Sequence, residues 1–497
     1  MSTSLAVLYA VVVGWNGSPS PDVPRLRYAD DDAVEYARLL GDAGARVTLL
    51  TELDGDSRAL HTDARPDGRP TREGLLAALD RIDGEIQKDG RPAELFIVYS
   101  GHGDVDHGEG FIALDGGRVT RTDLYDRVLA GRRADRIHVI VDACKSYFLV
   151  YARGGERRAH LASFVDERTP DRLPRVGFAL STSADNDSHE WEEFQGGVFS
   201  HEVRSALRGA GDADGDGRVS YAELGAFVRR ANAAVPNPRF RPRFTVVAPS
   251  ASTEGGATPV LGWPARAAAA SRDVIFDGPA LGRVSVEDAV GRRLADAHLG
   301  GAATTLHLPA ATPLYVWSRA DDREYALAPS AEPVRISMLT STARRIGRRG
   351  ALGEAFTRIF ALPFDAAVVA DYLAHPEPAA DDEPAPLPPA RRRARVATLA
   401  IAATTVAAAV ACNIVAGVVR QQAAVSTQDA RVAANDRISS WNAGAIGLYA
   451  AGGAAAAAFA ILSLWPQQKA PQAPPRVTIA PGPGPGEFGL SLSGSWR

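Results

Sequence analysis

The chain of 497 residues has little cysteine, no excess of positive charge, and no basic residue ahead of its first apolar run. With two cysteines, Cys144 and Cys412, a disulfide framework is not expected, and a reducing compartment fits. A formal net charge of −4 argues against a dedicated nucleic-acid-binding protein. The run 5–13 lacks the Lys or Arg that normally opens a signal peptide, so it predicts a first buried strand.

The length exceeds what one hydrophobic core normally serves, so we expect roughly two to four units. Over residues 1–250, short apolar β-branched runs alternate with amphipathic helical patterns, which predicts an α/β fold with a mostly parallel sheet flanked by helices. Two helices are predicted at 30–43 and 71–87, capped by Asp30 and Thr71. The predicted strands are 5–13, 46–50, 95–99, 137–141 and 176–181.

Two of these strands end in residues that can do chemistry. One leads into Ser100 and His102, and the other leads into Asp142 and Cys144. Ligands of open α/β sheets bind at the carboxyl ends of strands, and a thiol beside an imidazole is a nucleophile with its base. We therefore expect Cys144 to be the nucleophile and His102 its base. His107 is the nearest competitor for the role of base, but no strand precedes it.

The segments Tyr99-Ser100-Gly101-His102-Gly103 and Asp142-Ala143-Cys144-Lys145-Ser146 resemble the caspase-like cysteine peptidases, specifically the bacterial orthocaspases and metacaspases of peptidase family C14. Asp30-Asp31-Asp32-Ala33 and Gly197-Val198-Phe199-Ser200-His201 add to the resemblance, which covers roughly residues 4–250. It implies a caspase-like fold and a cysteine-type endopeptidase, a hydrolase of protein or peptide substrates.

The resemblance also implies an oxyanion hole made by the backbone N–H groups of Gly103 and Cys144. A second interpretation stays open, in which Cys144 is a small buried side chain and His102 an ordinary loop histidine. The protein would then be a non-catalytic caspase-like scaffold that binds a partner at the membrane.

A substrate pocket can be predicted beside the nucleophile. Asp142 lies two residues before Cys144 and shares its face of the strand, where a carboxylate would select a basic side chain. Resemblance to metacaspases implies a pocket of Asp142, Ser100 and Asp32. Because three aspartates stand at 30–32, which of them faces the pocket stays open, and Asp142 alternatively only orients a loop. We expect cleavage after Arg or Lys.

Two further features bear on regulation. The basic loop 153–175 is a predicted target of self-cleavage, given a preference for basic residues. Residues 212–223 match the twelve-residue calcium loop of an EF-hand. The predicted oxygen ligands are Asp212, Asp214, Asp216, the carbonyl of Arg218, Ser220 and Glu223.

The calcium prediction has an alternative. The helix before the loop is interrupted by Gly209-Ala210-Gly211, so the helix-loop-helix pairing is imperfect, and an acidic turn that only caps the next helix also fits. Many metacaspases need calcium, so the resemblance implies Ca²⁺ as a cofactor that supports structure or activity.

The second half of the chain changes character. Residues 258–375 predict a small β-rich domain, and 376–395 a Pro-rich linker that ends in a basic run. The uncharged runs 396–419 and 443–465 are each long enough to cross about 30 Å of hydrocarbon as a helix, although two buried soluble helices are the alternative. The basic run predicts an inner-membrane hairpin with the peptidase domain in the cytoplasm. A Pro/Gly-rich tail, 466–497, follows.

Overall fold

The structure is a computed structural model, and contacts divide the chain into two compact units, Met1–Glu383 and Pro384–Arg497. The residues that it describes are 6–21, 23–107, 109–144, 146, 149, 172–181, 190–236, 241–263, 270–277, 282–300, 303–343, 358–375, 401, 404–416, 418–419, 428–464, 476–481 and 488–493. Most of the predicted self-cleavage loop 153–175 and the whole linker 376–395 lie outside these residues.

The first unit contains a central, mostly parallel sheet, as the sequence predicts. The strands of its first 250 residues are β1 (Val7–Trp15), β2 (Arg46–Thr51), β3 (Ala93–Gly101), β4 (Gly103–Asp106), β5 (Glu109–Leu114), β6 (Gly117–Thr120), β7 (Arg136–Asp142), β8 (Val176–Ser181), β9 (Glu190–Trp191), β10 (Gly196–Gly197), β11 (Arg218–Ser220) and β12 (Phe244–Val247). Within the described residues the sheet order is β12-β8-β7-β3-β1-β2, and β12 alone among these strands runs antiparallel to its neighbour. The edge strand β12 and the small sheet of β4, β5 and β6 were not predicted.

Alternate residues of the central strands point into two cores on opposite faces of the sheet. In β1, Tyr9, Val11 and Val13 belong to one apolar cluster, whereas Ala10 and Val12 belong to the other. A strand that is buried on both faces has a continuous run of apolar residues, so the strands of this sheet could be predicted from the sequence.

Helices of the first unit cover both faces of the sheet. The α-helices of the described residues include, in the first unit, α1 (Ala29–Asp42), α2 (Gly55–Leu60), α3 (Arg72–Asp89), α4 (Arg121–Asp123), α5 (Val198–Ser205), α6 (Tyr221–Asn232) and α7 (Ala366–Ala374), and in the second unit α8 (Gln428–Leu464). The hydroxyl of Thr71 accepts from the Gly74 N–H and caps α3, as predicted. The prediction for Asp30 was wrong, because Asp30 lies inside the first turn of α1 and Asn16 Oδ1 accepts from the Ala29 N–H at 2.8 Å instead.

A β-rich segment follows the central sheet within the first unit. Its strands are β13 (Pro259–Gly262), β14 (Ser271–Phe276), β15 (Gly282–Asp288), β16 (Arg293–Leu299), β17 (Thr304–Pro309), β18 (Leu314–Ser318), β19 (Arg323–Leu327), β20 (Val334–Arg335) and β21 (Ser341–Ala343). Most of them form two sheets, β17-β14-β20 and β16-β15-β18-β19-β21. Inward side chains such as Val286 and Leu306 share one apolar cluster with Val203 of α5 and Leu207, so this segment packs on the helices of the first 250 residues.

The second unit does not support the predicted membrane hairpin. Among the residues described there, no helix combines the length and the apolar character needed to cross a membrane. Helix α8 is long, but it begins with charged and polar residues. Much of 443–455 is Ala and Gly, which raise the mean hydropathy of a helix less than Leu, Ile or Val do. The predicted first span, 396–419, is described only in parts. In the tail, β22 (Arg476–Pro481) pairs antiparallel with β23 (Phe488–Ser493).

Candidate active site

A cleft open to solvent lies at the carboxyl edge of the central sheet. Its lining includes the ends of β3 and β7, the first turn of α1 and the start of α5. Five of the lining residues are those that the sequence predicts for catalysis and for the pocket, namely His102, Cys144, Ser100, Asp142 and Asp32. The cleft therefore collects the predicted dyad and the predicted pocket in one place.

Strand register brings the two reactive residues to the same edge. Strands β3 and β7 are parallel neighbours, and Ser100 lies directly beside Asp142. His102 and Cys144 each follow two residues later, so both leave the sheet at the same level. Gly103 then packs against the second strand end: a Cβ at this position would lie 2.5 Å from the carbonyl oxygen of Cys144. Only glycine allows this approach of the two chains.

The His102 ring is held in one orientation by a backbone carbonyl. Its Nε2 lies 2.9 Å from the carbonyl oxygen of Pro24. A carbonyl oxygen can only accept, so this bond assigns the proton of the neutral ring to Nε2 and leaves a lone pair on Nδ1. The side chain is buried, and burial lowers the pKa of His102 below its ordinary value although the Pro24 bond opposes the shift. A neutral imidazole with a free lone pair is what a general base requires.

The other predicted positions are placed less directly. Cys144 carries a partly buried thiol in the cleft lining. Gly103 begins β4, beside the cleft rather than in its lining. The competitor His107 has a side chain that is 94 % exposed and lies 2.6 Å from an oxygen of Asp106, outside the cleft lining.

The three consecutive aspartates of α1 face three different environments. Asp32 lines the cleft. Asp30 instead accepts hydrogen bonds from Asn16 Nδ2 at 2.6 Å and from the Asp54 N–H at 2.9 Å. Asp31 Oδ1 lies 2.8 Å from Nε2 of the buried His61. In this geometry it is Asp32 that faces the pocket.

Both pocket carboxylates are anchored by neighbouring groups. Asp32 Oδ1 accepts from Arg204 at 3.1 Å, and Oδ2 accepts from the Gly197 N–H at 2.9 Å and from the Ser100 hydroxyl at 3.2 Å. Burial raises the pKa of Asp32 well above its usual value, Arg204 opposes this shift, and the Asp142 charge adds to it. Asp142 Oδ2 accepts from the N–H and hydroxyl of Ser200, at 3.0 and 2.7 Å.

Sequence reasoning missed three contributors to this site, namely the Pro24 carbonyl, Arg204 and Glu190. Glu190 lines the cleft and accepts from the N–H groups of Arg27 and Tyr28 at about 3 Å, and burial raises its pKa. These contacts join residues 78 to 172 positions apart. No local pattern signals them, because each depends on where distant segments meet at the sheet edge.

The predicted calcium loop brings its acidic side chains together. Carboxylate oxygens of Asp212, Asp214 and Asp216 all lie within 4.8 Å of one another. The loop turns at Gly217, with φ +79°, and Gly217 donates to Asp212 Oδ2 at 3.0 Å. Burial raises the pKa of Asp212, and the charges of Asp216 and Asp214 add to this shift. Converging carboxylates of this kind suit a hard cation such as Ca²⁺.

The end of the same loop caps the helix that follows it, as the alternative to calcium binding predicts. Ser220 caps α6, and the Glu223 carboxylate accepts from the Ser220 N–H and hydroxyl, both at 2.8 Å. The other Glu223 oxygen accepts from the Ala213 N–H at 2.9 Å. Arg218, whose backbone carbonyl is a predicted ligand, lies in β11, which pairs with β13. The Glu223 carboxylate thus closes the loop onto Ala213, which lies between Asp212 and Asp214.

Comparison with known protein families bears on the class of this site. Residues 8–247 match the family model of the caspase domain. Together with the mostly parallel sheet, the match supports a caspase-like peptidase domain over this part of the chain, and hence a hydrolase acting on proteins or peptides. None of the curated proteins compared with the chain matches it.

Proposed function

We propose that the protein is a cysteine endopeptidase that hydrolyses peptide bonds after Arg or Lys, with Cys144 as nucleophile and His102 as general base and acid. The observation that carries the proposal is the cleft at the carboxyl edge of the sheet, which is lined by His102, Cys144 and the carboxylates of Asp32 and Asp142. The caspase-domain match supports the class of reaction.

The chemistry follows from the orientation of His102. Its Nδ1 accepts the thiol proton while Cys144 Sγ attacks the peptide carbonyl, and the Pro24 carbonyl stabilises the charged ring through Nε2. His102 then returns the proton to the leaving amine, which gives a thioester at Cys144. Water attacks the thioester with His102 again as base, and the thiol is regenerated. The N–H groups of Gly103 and Cys144 are our candidates for stabilising the oxyanion.

The preference for a basic residue follows from charge. The cleft contains the carboxyl groups of Asp32, Asp142 and Glu190, and Arg204 supplies one positive charge to Asp32. Burial raises the pKa of Asp32 and of Glu190, and the Asp142 charge adds to both shifts. A bound Arg or Lys side chain would favour the ionised carboxylates and pair with them, whereas a substrate carboxylate would add a further like charge. Ser100 adds a hydroxyl to the same lining.

A panel of fluorogenic peptides tests the proposal. Peptides that differ only in the residue before the cut, namely Arg, Lys, Asp or Leu, are incubated with the full chain. We expect turnover of the Arg and Lys peptides by wild type and by Cys412→Ala, the matched cysteine control, and none by Cys144→Ala. Preferential turnover of the Asp peptide would contradict the pocket assignment. A folded wild type that cleaves none of them would favour the scaffold interpretation.

We also propose that the loop 212–223 binds Ca²⁺, with Asp212, Asp214 and Asp216 as the core of the ligand set. Arg218, through its carbonyl, Ser220 and Glu223 complete the set, and Glu223 must exchange its present hydrogen bonds for the cation. Titration calorimetry of Cys144→Ala with Ca²⁺ should give saturable binding that Asp214→Asn abolishes and the surface control Asp89→Asn retains. Absence of binding at about 1 mM Ca²⁺ would refute this proposal.

Membrane attachment and self-cleavage stay predictions of the sequence. Carbonate extraction of cell membranes tests attachment through 396–419 and 443–465, since a hairpin that spans the inner membrane resists extraction. Mass spectrometry of wild type against Cys144→Ala tests self-cleavage within 153–175. Identical intact masses would contradict it.

A further inference from the structure

Helix α5 presents one face to the proposed substrate pocket. Ser200 and Arg204 are four residues apart and so lie on the same side of the helix. Ser200 donates two hydrogen bonds to Asp142, and Arg204 donates one to Asp32. The backbone N–H of Gly197, the residue before the helix, also donates a hydrogen bond to Asp32. The position of this one helix therefore sets how both pocket carboxylates are held.

The next face of α5 is buried against strand β16 of the β-rich segment. His201 and Ser205 are again four residues apart, and both contact Asp296. His201 Nε2 lies 3.0 Å from Asp296 Oδ2, and the Asp296 N–H donates to Ser205 Oγ at 3.1 Å. All three residues are fully buried. Loss of one partner would leave a buried polar group unsatisfied, at a free-energy cost that a shift of the helix would relieve.

Charged groups fix Asp296 as the anion of this contact. Burial alone would raise the pKa of Asp296, but Arg293, the hydrogen bond from His201, and Arg283 hold it well below its usual value. Ser285 also donates to Asp296 Oδ1 at 3.0 Å. The carboxylate is therefore ionised and accepts a hydrogen bond from the N–H at His201 Nε2.

A second anchor from the β-rich segment reaches the chain just ahead of α5. Glu193 accepts from Arg293 at 3.0 Å and from Arg319 at 2.6 Å. Arg293 lies in β16, and Arg319 directly follows β18. The β-rich segment thus contacts α5 itself and also Glu193, which precedes the helix in the chain.

We propose that Asp296 is a positioning residue for the substrate pocket: through His201 and Ser205 it holds α5 in place, and α5 holds Ser200 and Arg204 against the two pocket carboxylates. The β-rich segment is then part of the substrate-binding machinery. This inference rests on the proposed peptidase function. It predicts that disturbing Asp296 weakens binding of a basic side chain while the reaction of Cys144 itself is retained.

The test compares two Asp→Asn substitutions in the full-length protein. Asp296→Asn removes the charge that faces α5, whereas Asp277→Asn breaks an ion pair with Arg335 in the same segment, away from α5. For Asp296→Asn we expect KM for the Arg peptide to rise about tenfold with kcat changed less than about threefold. Alkylation of Cys144 by iodoacetamide, which is uncharged and needs no pocket, should change less than about twofold. For Asp277→Asn all three quantities should stay at the wild-type values.

Ser205→Ala serves as a milder variant should Asp296→Asn fold poorly. It removes the hydroxyl that accepts from the Asp296 N–H and that lies 3.5 Å from His201 Nε2, and it leaves the Asp296 charge in place. We expect KM to rise about threefold. The double variant Ser200→Ala with Asp296→Asn tests the route of the effect, since two changes that act through one contact are not additive. Its KM should be close to that of the more affected parent.

The outcomes separate the inference from the function on which it rests. An unchanged KM in Asp296→Asn and Ser205→Ala, while wild type cleaves the Arg peptide, would overturn the inference alone. Equal losses in kcat and in alkylation rate with a lowered melting temperature would assign Asp296 a general structural role, and would also overturn it. A folded wild type that cleaves no peptide would overturn the proposed function, and the inference with it.

Discussion

Replacement of Gly103 by alanine should impair catalysis without unfolding the protein. The new Cβ would lie 2.5 Å from the Cys144 carbonyl oxygen and 3.0 Å from the Ala143 Cβ. Ordinary contact begins at 3.4 Å, so the segment that carries Cys144 has to move by about 0.9 Å relative to His102. A displacement of that size near the reacting atoms lowers kcat by about a hundredfold, which corresponds to about 2.7 kcal/mol.

The assay is kcat for the Arg peptide, with circular dichroism to establish that the variant is folded. Gly84→Ala is the matched control, because nothing lies within 4 Å of its added Cβ in the middle of α3. It should keep wild-type kcat and gain stability of up to about 1 kcal/mol. A folded Gly103→Ala variant whose kcat is within threefold of wild type would refute the argument that this glycine sets the distance between the two strand ends.

Three further predictions concern protonation and stability. Because burial lowers the pKa of His102, kcat/KM for the Arg peptide should fall to half of its plateau only below pH 6.5. A midpoint above pH 6.5 would contradict this. Burial lowers the pKa of His201 to about 4, so the unfolded chain binds the extra proton first, and stability is lost as the pH falls from 6.5 towards 4. Relative to His201→Gln, wild type should lose at most about 3 kcal/mol over this range in urea unfolding, and parallel curves would refute the assignment. Thr71→Ala should lower the free energy of unfolding by about 1 kcal/mol, because the Gly74 N–H loses its cap; an unchanged urea midpoint would show that the cap contributes nothing.

The strand ends were predictable because their signals are local. The apolar runs before Ser100 and Asp142 are buried on both faces, and parallel pairing then carries His102 and Cys144 to one edge. The cap of α3 at Thr71 is equally local. Each of these depends on a few consecutive residues and on geometry that holds for every parallel sheet.

The remaining contributors depend on contacts between distant segments. Arg204 reaches Asp32 across 172 positions, and the N-terminus of α1 is capped by Asn16 rather than by Asp30. The role of β16 was also invisible, since the sequence of the β-rich segment shows alternation but not which helix it covers. In the sequence, Asp296 is a polar residue within a strand, and only the structure shows that it contacts His201 of α5.

Covalent labelling of the nucleophile is the most direct test of the central claim. An acyloxymethyl ketone peptide with Arg at its reactive end is added to the full chain, and the modified residue is identified by peptide mass spectrometry. The account predicts modification at Cys144 and not at Cys412, with a much lower rate in His102→Ala. Equal modification of both cysteines, or an unchanged rate in His102→Ala, would contradict a His102–Cys144 dyad in an acidic substrate cleft.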